Sequence, residues 1–137
     1  MAIVKTQVTN KRPCKIAMTA QTWITGAGHA AASEVAYNLS GLLTRFDVII
    51  SSVTDNPTVA VTFRDQNSCI VVPDALCATL ADGTNHIMLA RSYKATKDAN
   101  FNPVPLLDSN ITISMDPSGD AGGTSQTLSV QVILYLE

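Results

Sequence analysis

Two histidines, His29 and His86, are the only imidazoles in the chain and the natural candidates for a catalytic base. Hydrolytic or acid–base catalysis also needs a nucleophile and an orienting group beside that base. His29 lies in the flexible stretch Gly26-Ala27-Gly28-His29-Ala30, and His86 opens a predicted strand after a turn. Neither place holds a base firmly, and no phosphate-binding loop or dinucleotide motif is present. We therefore expect no catalytic residues and no enzyme activity.

Carboxylates and cysteines offer two further kinds of site. The turn Asp116-Pro117-Ser118-Gly119-Asp120 places two carboxylates in a glycine-rich loop that could hold Ca²⁺, but it lacks the alternating ligands and distal Glu of the helix–loop–helix motif. Asp and Gly also form turns through backbone geometry alone, so both interpretations stay open. Cys14, Cys69 and Cys77 have no CxxC or Cys/His spacing, which predicts free thiols. No cofactor and no metal is predicted.

A carbohydrate site on a β-domain would need exposed aromatic side chains, because sugar faces stack on Trp or Tyr. Aromatic residues make up 5% of the chain, and several occupy positions predicted to face the core. Trp23, or Tyr93 with Phe101, could form such a platform. A carbohydrate-binding or adhesion module is therefore kept as an alternative function.

Charge is distributed unevenly along the chain. Residues 1–33 carry Lys5, Lys11, Arg12 and Lys15 and no acid, while the remainder carries five cations against eleven acids. A basic segment before an acidic body suits an acidic protein surface. Nucleic-acid binding needs cations gathered in a patch, with aromatics among them for stacking, so no nucleic-acid partner is predicted.

Apolar runs are short throughout the sequence. No stretch approaches the roughly 20 apolar residues of a membrane-spanning helix. Residues 1–20 contain no apolar run of signal-peptide length. We expect a soluble protein without a membrane partner and without a cleaved export signal.

The elements that must position these residues are predicted to be β-strands in a single domain. The 137 residues are 46% apolar and only 15% charged, with abundant Thr, Ser, Val and Ile. About eight strands alternate with turn signals, including predicted hairpins between 45–52 and 58–65 and between Ile111–Met115 and Thr127–Leu136. One or two helical turns are predicted over 75–80, and an irregular loop over 93–110. This pattern predicts an all-β, jelly-roll-like β-sandwich.

The last strand is expected to organise the core. Leu128, Val130, Val132, Leu134 and Leu136 recur at every second position, and burying them would contribute roughly 7–15 kcal/mol as an upper bound. Its other face becomes apolar at Ile133 and Tyr135. An end that is apolar on both faces must be covered twice, by the N-terminal segment or by another subunit.

Residues 1–30 are predicted to form an N-terminal arm and residues 31–137 the sandwich domain. Short strands are expected at 3–8 and 14–19 of the arm, with Trp23 following them. Such an arm lies on a partner subunit, or it adds an edge strand to its own sandwich. The candidate partner-binding residues are Lys5, Lys11, Arg12, Lys15, Trp23, Ile133 and Tyr135.

The start Met1-Ala2-Ile3-Val4-Lys5-Thr6, the segment 56–65 (NPTVAVTFRD) and the ending ITISMD…LSVQVIL resemble small structural proteins of tailed-phage particles. The closest in kind are the capsid decoration, or cement, proteins. The resemblance implies a jelly-roll, made in the host cytoplasm, that assembles as a homotrimer on the outer surface of the virion and clamps neighbouring copies of the major capsid protein. A tail, baseplate or head–tail joining component of the same particle is the alternative.

Overall fold

The computed structural model describes residues 14–91 and 99–137, together with the backbone of residues 4–6. This part of the chain forms ten strands and one short 3-10 turn, Asp74–Cys77. The strands are β1 Val4–Thr6, β2 Cys14–Ala17, β3 Gln21–Ile24, β4 Ala32–Ile50, β5 Thr58–Arg64, β6 Ile70–Val72, β7 Leu80–Ala81, β8 Thr84–Leu89, β9 Val104–Pro117 and β10 Thr127–Leu136.

Hydrogen bonds join the strands along the path β2-β10-β4-β9-β5-β6. Beside this path, β3 pairs with β10, β7 with β5, and β8 with β4, all antiparallel. β1 pairs with β4 in parallel. The fold is therefore almost entirely antiparallel.

The 19-residue strand β4 belongs to two layers. Its first half, 32–43, pairs with β9, and its second half, 43–50, pairs with β10 and β8. Between them the register shifts twice near Asn38 and Gly41, which have φ values of 56° and 128°. Such irregularities bend a strand sharply. We call the layer of β2, β3, β10, β8 and the second half of β4 sheet A, and the layer of β1, β9, β5, β6, β7 and the first half of β4 sheet B.

The two sheets face each other across one hydrophobic core. The ring of Phe46 in sheet A lies 4.7 Å from that of Phe63 in sheet B, although β9 separates their strands in the hydrogen-bonded order. The predicted inward faces of β5 and β10 are both buried. The all-β, single-domain sandwich is thus confirmed. The largest fully buried side chains include Phe46, Phe63, Met18, Leu39, Leu43, Ile111, Ile113, Met115, Leu128, Leu134 and Leu136.

Both predicted hairpins are wrong, although their strands exist. β9 and β10 do not pair with each other, because β4 lies between them. The second half of β4 and β5 belong to opposite sheets, so residues 51–57 cross from one sheet to the other. Turn residues mark where a strand ends, but they do not determine which strand becomes its neighbour.

The alternation of Val35, Tyr37 and Leu39 predicts that these residues face inward in the first half of β4, but only Leu39 is buried. Glu34 and Ala36 are buried at 1% and 0% exposure, whereas Val35 and Tyr37 are half-buried on the other face. Glu34 accepts a hydrogen bond of 2.5 Å from Gln21 Nε2 of β3. This contact joins the two sheets, and a buried carboxylate of this kind depends on such partners.

Three smaller expectations need correction. The apolar run Cys69-Ile70-Val71-Val72 predicts a short buried strand, but in β6 only Val72 is buried, while Ile70 is 61% exposed. The sequence predicts Asp74 as the N-cap of the helical turns, but the helix is the 3-10 turn Asp74–Cys77, and the Asp74 side chain pairs with Arg64 instead. β9 begins at Val104, within the stretch predicted to be irregular, and residues 92–98 of that stretch lie outside the described residues.

The described part of the predicted arm belongs to the same sandwich. β2 and β3 both pair with β10, and Ile16, Met18 and Trp23 are buried in the common core. Residues 14–24 thus form edge strands of their own sandwich, which was the second of the two interpretations of the predicted arm. Residues 1–3 and 7–13 lie outside the described residues, and the predicted domain boundary at residue 30 stays a prediction.

Candidate functional site

The outward face of sheet A brings together three of the predicted partner residues. Side chains that are paired across antiparallel strands lie on the same face. Tyr135 of β10 pairs with Lys15 of β2 and with Arg45 of β4, and Ile133 pairs with Asp47. On the far side of β4, Leu89 and Ile87 of β8 pair with Arg45 and Asp47. We call this surface the outer face of sheet A.

Arg45, Asp47 and Tyr135 form a connected cluster at the centre of this face. The guanidinium of Arg45 donates two hydrogen bonds to the Asp47 carboxylate, from Nε at 2.9 Å and from the second nitrogen at 3.0 Å. The Tyr135 hydroxyl donates to Asp47 Oδ2 at 3.1 Å. The guanidinium carbon also lies 4.5 Å from the centre of the Tyr135 ring. A bidentate ion pair and a cation–π contact together hold the three side chains in one geometry.

The electrostatics of the cluster follow from Asp47 and from partial burial. The hydrogen bond to Asp47 raises the pKa of Arg45 above its already high ordinary value. Burial raises the pKa of Tyr135, and the hydrogen bond to Asp47 raises it further. At neutral pH, Arg45 is therefore a cation and Tyr135 a neutral hydrogen-bond donor.

The β8 side of the outer face is apolar and exposed. Ile87 and Leu89 are 51% and 42% exposed, which is high for large aliphatic side chains. Ile133 is only 8% exposed on its own chain, between Asp47 and Ala17 in register. Apolar side chains beside an ordered Arg–Tyr pair are typical of protein contact surfaces, in which Arg and Tyr are enriched.

The remaining predicted site residues have different surroundings. Trp23 is 9% exposed and its indole Nε1 donates to the Ala30 carbonyl at 2.7 Å, so it contributes mainly to the core of its own chain. Lys5 lies on β1, of which only the backbone is described, and Lys11 and Arg12 lie outside the described residues. We therefore leave Trp23 out of the surface proposed below.

Sequence reasoning missed Arg45, Asp47, Ile87 and Leu89. Arg45 and Asp47 alternate with Phe46 and Val48, so the predicted strand already placed both on its outward side. Their meeting with Tyr135 depends on the pairing of β4 with β10, which no local pattern encodes. Ile87 and Leu89 occupied a strand whose neighbour was not predicted.

The carboxylate turn serves the backbone. Asp120 accepts hydrogen bonds from Gly26 N at 3.0 Å and Gly122 N at 2.9 Å. The hydrogen bond from Gly122 N lowers the pKa of Asp120 most, and the hydrogen bond from Gly26 N lowers it further. Within residues 14–91 and 99–137, no group of three or more His, Cys, Asp or Glu side chains could hold a metal ion. The geometry therefore supports the turn interpretation of these carboxylates.

Both histidines contact backbone carbonyls, and the aromatic side chains of Trp23 and Phe101 lie in the core. His29 Nδ1 lies 3.2 Å from the Pro117 carbonyl, and His86 Nε2 lies 2.8 Å from that of Ala81. Phe101 is 6% exposed and contacts Phe46 at 5.4 Å between ring centres. With Trp23 also buried, neither of these aromatics presents a platform to a sugar; Tyr93 lies outside the described residues.

Residues 4–6, 14–91 and 99–137 include no helix with the length and apolar character that are needed to span a membrane.

No family model and no curated protein matches the chain. Two solved chains are similar, one from a structure of the infectious bursal disease virus Gx strain and one from the Gt strain. The Gx chain has a TM-score of 0.46 at 14% identity and covers 91% of this chain and 32% of its own length. The Gt chain has a TM-score of 0.43 at 13% identity and covers 92% and 33%. This chain thus spans about a third of their length, and because both TM-scores are below 0.5 we infer no function from them.

Proposed function

We propose that this protein is a non-enzymatic structural component of a virus particle that acts through protein–protein contacts. In its specific form, the proposal is a phage capsid decoration protein that binds the major capsid protein on the outer surface of the virion. The sequence resemblance to cement proteins suggests this role. The observation that carries it is the outer face of sheet A, where exposed Ile87 and Leu89 flank the Arg45–Asp47–Tyr135 cluster.

The outer face suits a protein partner for physical reasons. Arg45 and Tyr135 are held by Asp47 before any partner arrives, so less side-chain entropy is lost on binding. Ile87 and Leu89 lose apolar exposed surface when covered, and this favours association. A second copy of the chain, as in the homotrimer that the resemblance implies, would cover Tyr135 and the small part of Ile133 that is still exposed.

The basic N-terminal segment would supply the contact with the capsid shell. Lys15 is exposed beside Tyr135, and Lys5, Lys11 and Arg12 precede it in the sequence. Clustered cations accelerate and orient docking on an acidic protein surface, and their effect falls as salt rises. We therefore expect particle binding that depends on residues 1–12 and weakens with ionic strength.

A sedimentation assay tests the proposal. Particles made without this protein, from the genome that encodes it, are incubated with the purified chain and sedimented at several salt concentrations. Saturable binding is expected, and a chain lacking residues 1–12 should bind at least tenfold more weakly. The deletion ends before Cys14 because β2 and Met18 belong to the core, but it removes the edge strand β1, so folding of the shortened chain needs its own control.

Two controls make the result decisive. Thermal unfolding of the shortened chain must stay cooperative, and Ile70→Lys, on an exposed position of sheet B, should bind like the wild type. Absence of wild-type binding to such particles would reject the capsid role.

Light scattering after size exclusion tests the trimer separately, because a monomeric mass would reject the subunit contact without deciding particle binding.

A further inference from the structure

β8 is a regular edge strand: one side pairs with β4, and we call the opposite side its free side. It pairs with β4 over six consecutive residues without a register shift, and among the described residues it has no second partner strand. Ala90 N donates to the Thr44 carbonyl at 2.8 Å. Because hydrogen bonds alternate along an antiparallel pair, the backbone groups of Asn85, Ile87 and Leu89 point away from β4.

One end of this free side is already occupied. The N–H of Leu89 donates to Asn100 Oδ1 at 2.9 Å, and the Leu89 carbonyl accepts from Asn100 N at 2.7 Å. The position available for a further strand is therefore the stretch that contains Asn85 and Ile87. Asn100 marks the limit beyond which an added strand could not extend.

β8 also lacks the features by which proteins block edge pairing. Its sequence, Thr84-Asn85-His86-Ile87-Met88-Leu89, contains no Lys, no Pro and no acid, and it has no bulge against β4. Three other edges differ, since β2 carries Lys15, β6 has three residues and a register shift, and β3 has only four residues. With Ile87 at 51% exposure, β8 is a ready template for another strand.

We propose that β8 pairs antiparallel with β8 of a second copy of this chain, around a two-fold axis at His86. In this register Asn85 of each copy lies opposite Ile87 of the other, so the available N–H and C=O groups of both strands bond together. The two Ile87 side chains then lie diagonally adjacent on the joined outer face, within contact distance for long side chains. The arrangement is self-complementary, as a two-fold contact requires.

Charge and area together predict a weak, reversible dimer. The strand has no acidic or Lys/Arg side chain, and its neighbours Arg45 and Asp47 neutralise each other, so two copies meet without like-charge repulsion. With Leu89 occupied by Asn100, only residues 84–88 of each copy can pair, and such a contact buries far less than the roughly 1,200 Å² of a stable interface. The inference does not depend on a virion role, and it is compatible with trimers because the contact would join copies of different trimers.

Sedimentation velocity over a concentration series up to about 1 mM, the weak end of measurable association, tests the contact. The wild type should show a reversible increase of mass with concentration: a doubling from a monomer, or larger assemblies from a trimer, which carries three such edges. Ile87→Lys places a charge on the free edge and should raise the dissociation constant at least tenfold; Asn85→Lys should do the same if Ile87→Lys impairs folding. The matched control is Ile70→Lys, on the exposed edge strand of sheet B, which should leave association unchanged.

A second substitution tests the register. Adding Asn85→Glu to Ile87→Lys creates opposite charges at each of the two facing positions, so the double variant should regain the dimer. A wild type that stays at constant mass up to about 1 mM would overturn the proposal. The proposal would also be wrong if Ile70→Lys weakened association as much as Ile87→Lys, or if the double variant stayed dissociated.

Discussion

Replacing Tyr135 by Phe removes one hydroxyl from the outer face and leaves the ring over Arg45. That hydroxyl donates to Asp47 Oδ2 at 3.1 Å, which is long for an O–H···O bond. Hydrogen bonds to charged groups contribute roughly 1.5–3 kcal/mol where both partners are well buried. Asp47 is 7% exposed but Tyr135 is only half-buried, so we expect Tyr135→Phe to lower the free energy of unfolding by about 1 kcal/mol.

Urea denaturation at pH 7 measures this loss, and a thermal melt should show a midpoint lower by about 3–5 °C for a chain of this size. Tyr37→Phe is the matched control, because Tyr37 is also half-buried and its hydroxyl has no hydrogen bond among the described residues. The control should change the free energy of unfolding by less than about 0.5 kcal/mol. Equal values for the two variants would refute the assigned role of the Tyr135 hydroxyl.

The pH dependence of the same variant has a definite sign. Burial and then Asp47 raise the folded-state pKa of Tyr135 above its ordinary value of 10.0. The stabilisation is therefore fully present below that ordinary pKa and is lost as the pH rises through the raised one. The difference between wild type and Tyr135→Phe should be constant from pH 7 to pH 9 and shrink at higher pH. A difference that grows at alkaline pH would contradict the raised pKa.

Three further outcomes are expected. Burial raises the pKa of Cys77 to about 12, so a thiol reagent at pH 8 should modify exposed Cys69 quickly and Cys77 only after unfolding; equal rates would contradict this burial. Arg64 lowers the pKa of Asp74 through a hydrogen bond, so the stability from this pair is present above the ordinary carboxyl pKa of 3.8 and is lost as the pH falls through the lowered one. Carboxyl NMR titration should show the pKa of Asp74 rising in Arg64→Met. Phe46→Ala should cost about 3–5 kcal/mol in urea denaturation, and a loss below about 1 kcal/mol would refute a core shared by both sheets.

The fold class was predictable because it depends on a local signal. Alternation of apolar residues along β5 and β10 identified their buried faces correctly, since side chains of a strand alternate between its two faces. Pairing was not predictable in the same way. The turn at 116–126 joins β9 to β10 across the two sheets, and its glycines and aspartates would suit a hairpin equally well.

The candidate site was predicted only in part for the same reason. Ile133 and Tyr135 were predicted because they are apolar residues on the outward side of a strand, a feature that the sequence of that strand alone shows. The partners of Tyr135 are Arg45 and Asp47, more than 80 residues earlier, and they meet it through the β4–β10 register. Trp23 is packed in the core of its own chain, and a lone tryptophan in a glycine-rich context gives no sign of which sheet will cover it.

The position of the Arg45–Asp47–Tyr135 cluster outside the core depends on one irregularity in β4. Leu39 and Leu43 are buried at 0% and 2% exposure, and strict alternation from them would turn residues 45 and 47 inward. The register with β10 instead shifts between Leu43 and Arg45, so that Phe46 enters the core. Burying an arginine and an aspartate in place of Phe46 and Val48 would cost far more than one bulge. Two residues an even number of positions apart, such as Leu39 and Leu43, face the same side of a regular strand, whereas Leu43 and Phe46 are three positions apart. Both Leu43 and Phe46 are apolar and can be buried only if the strand shifts between them. The sequence itself therefore determines which face of sheet A carries the charged cluster.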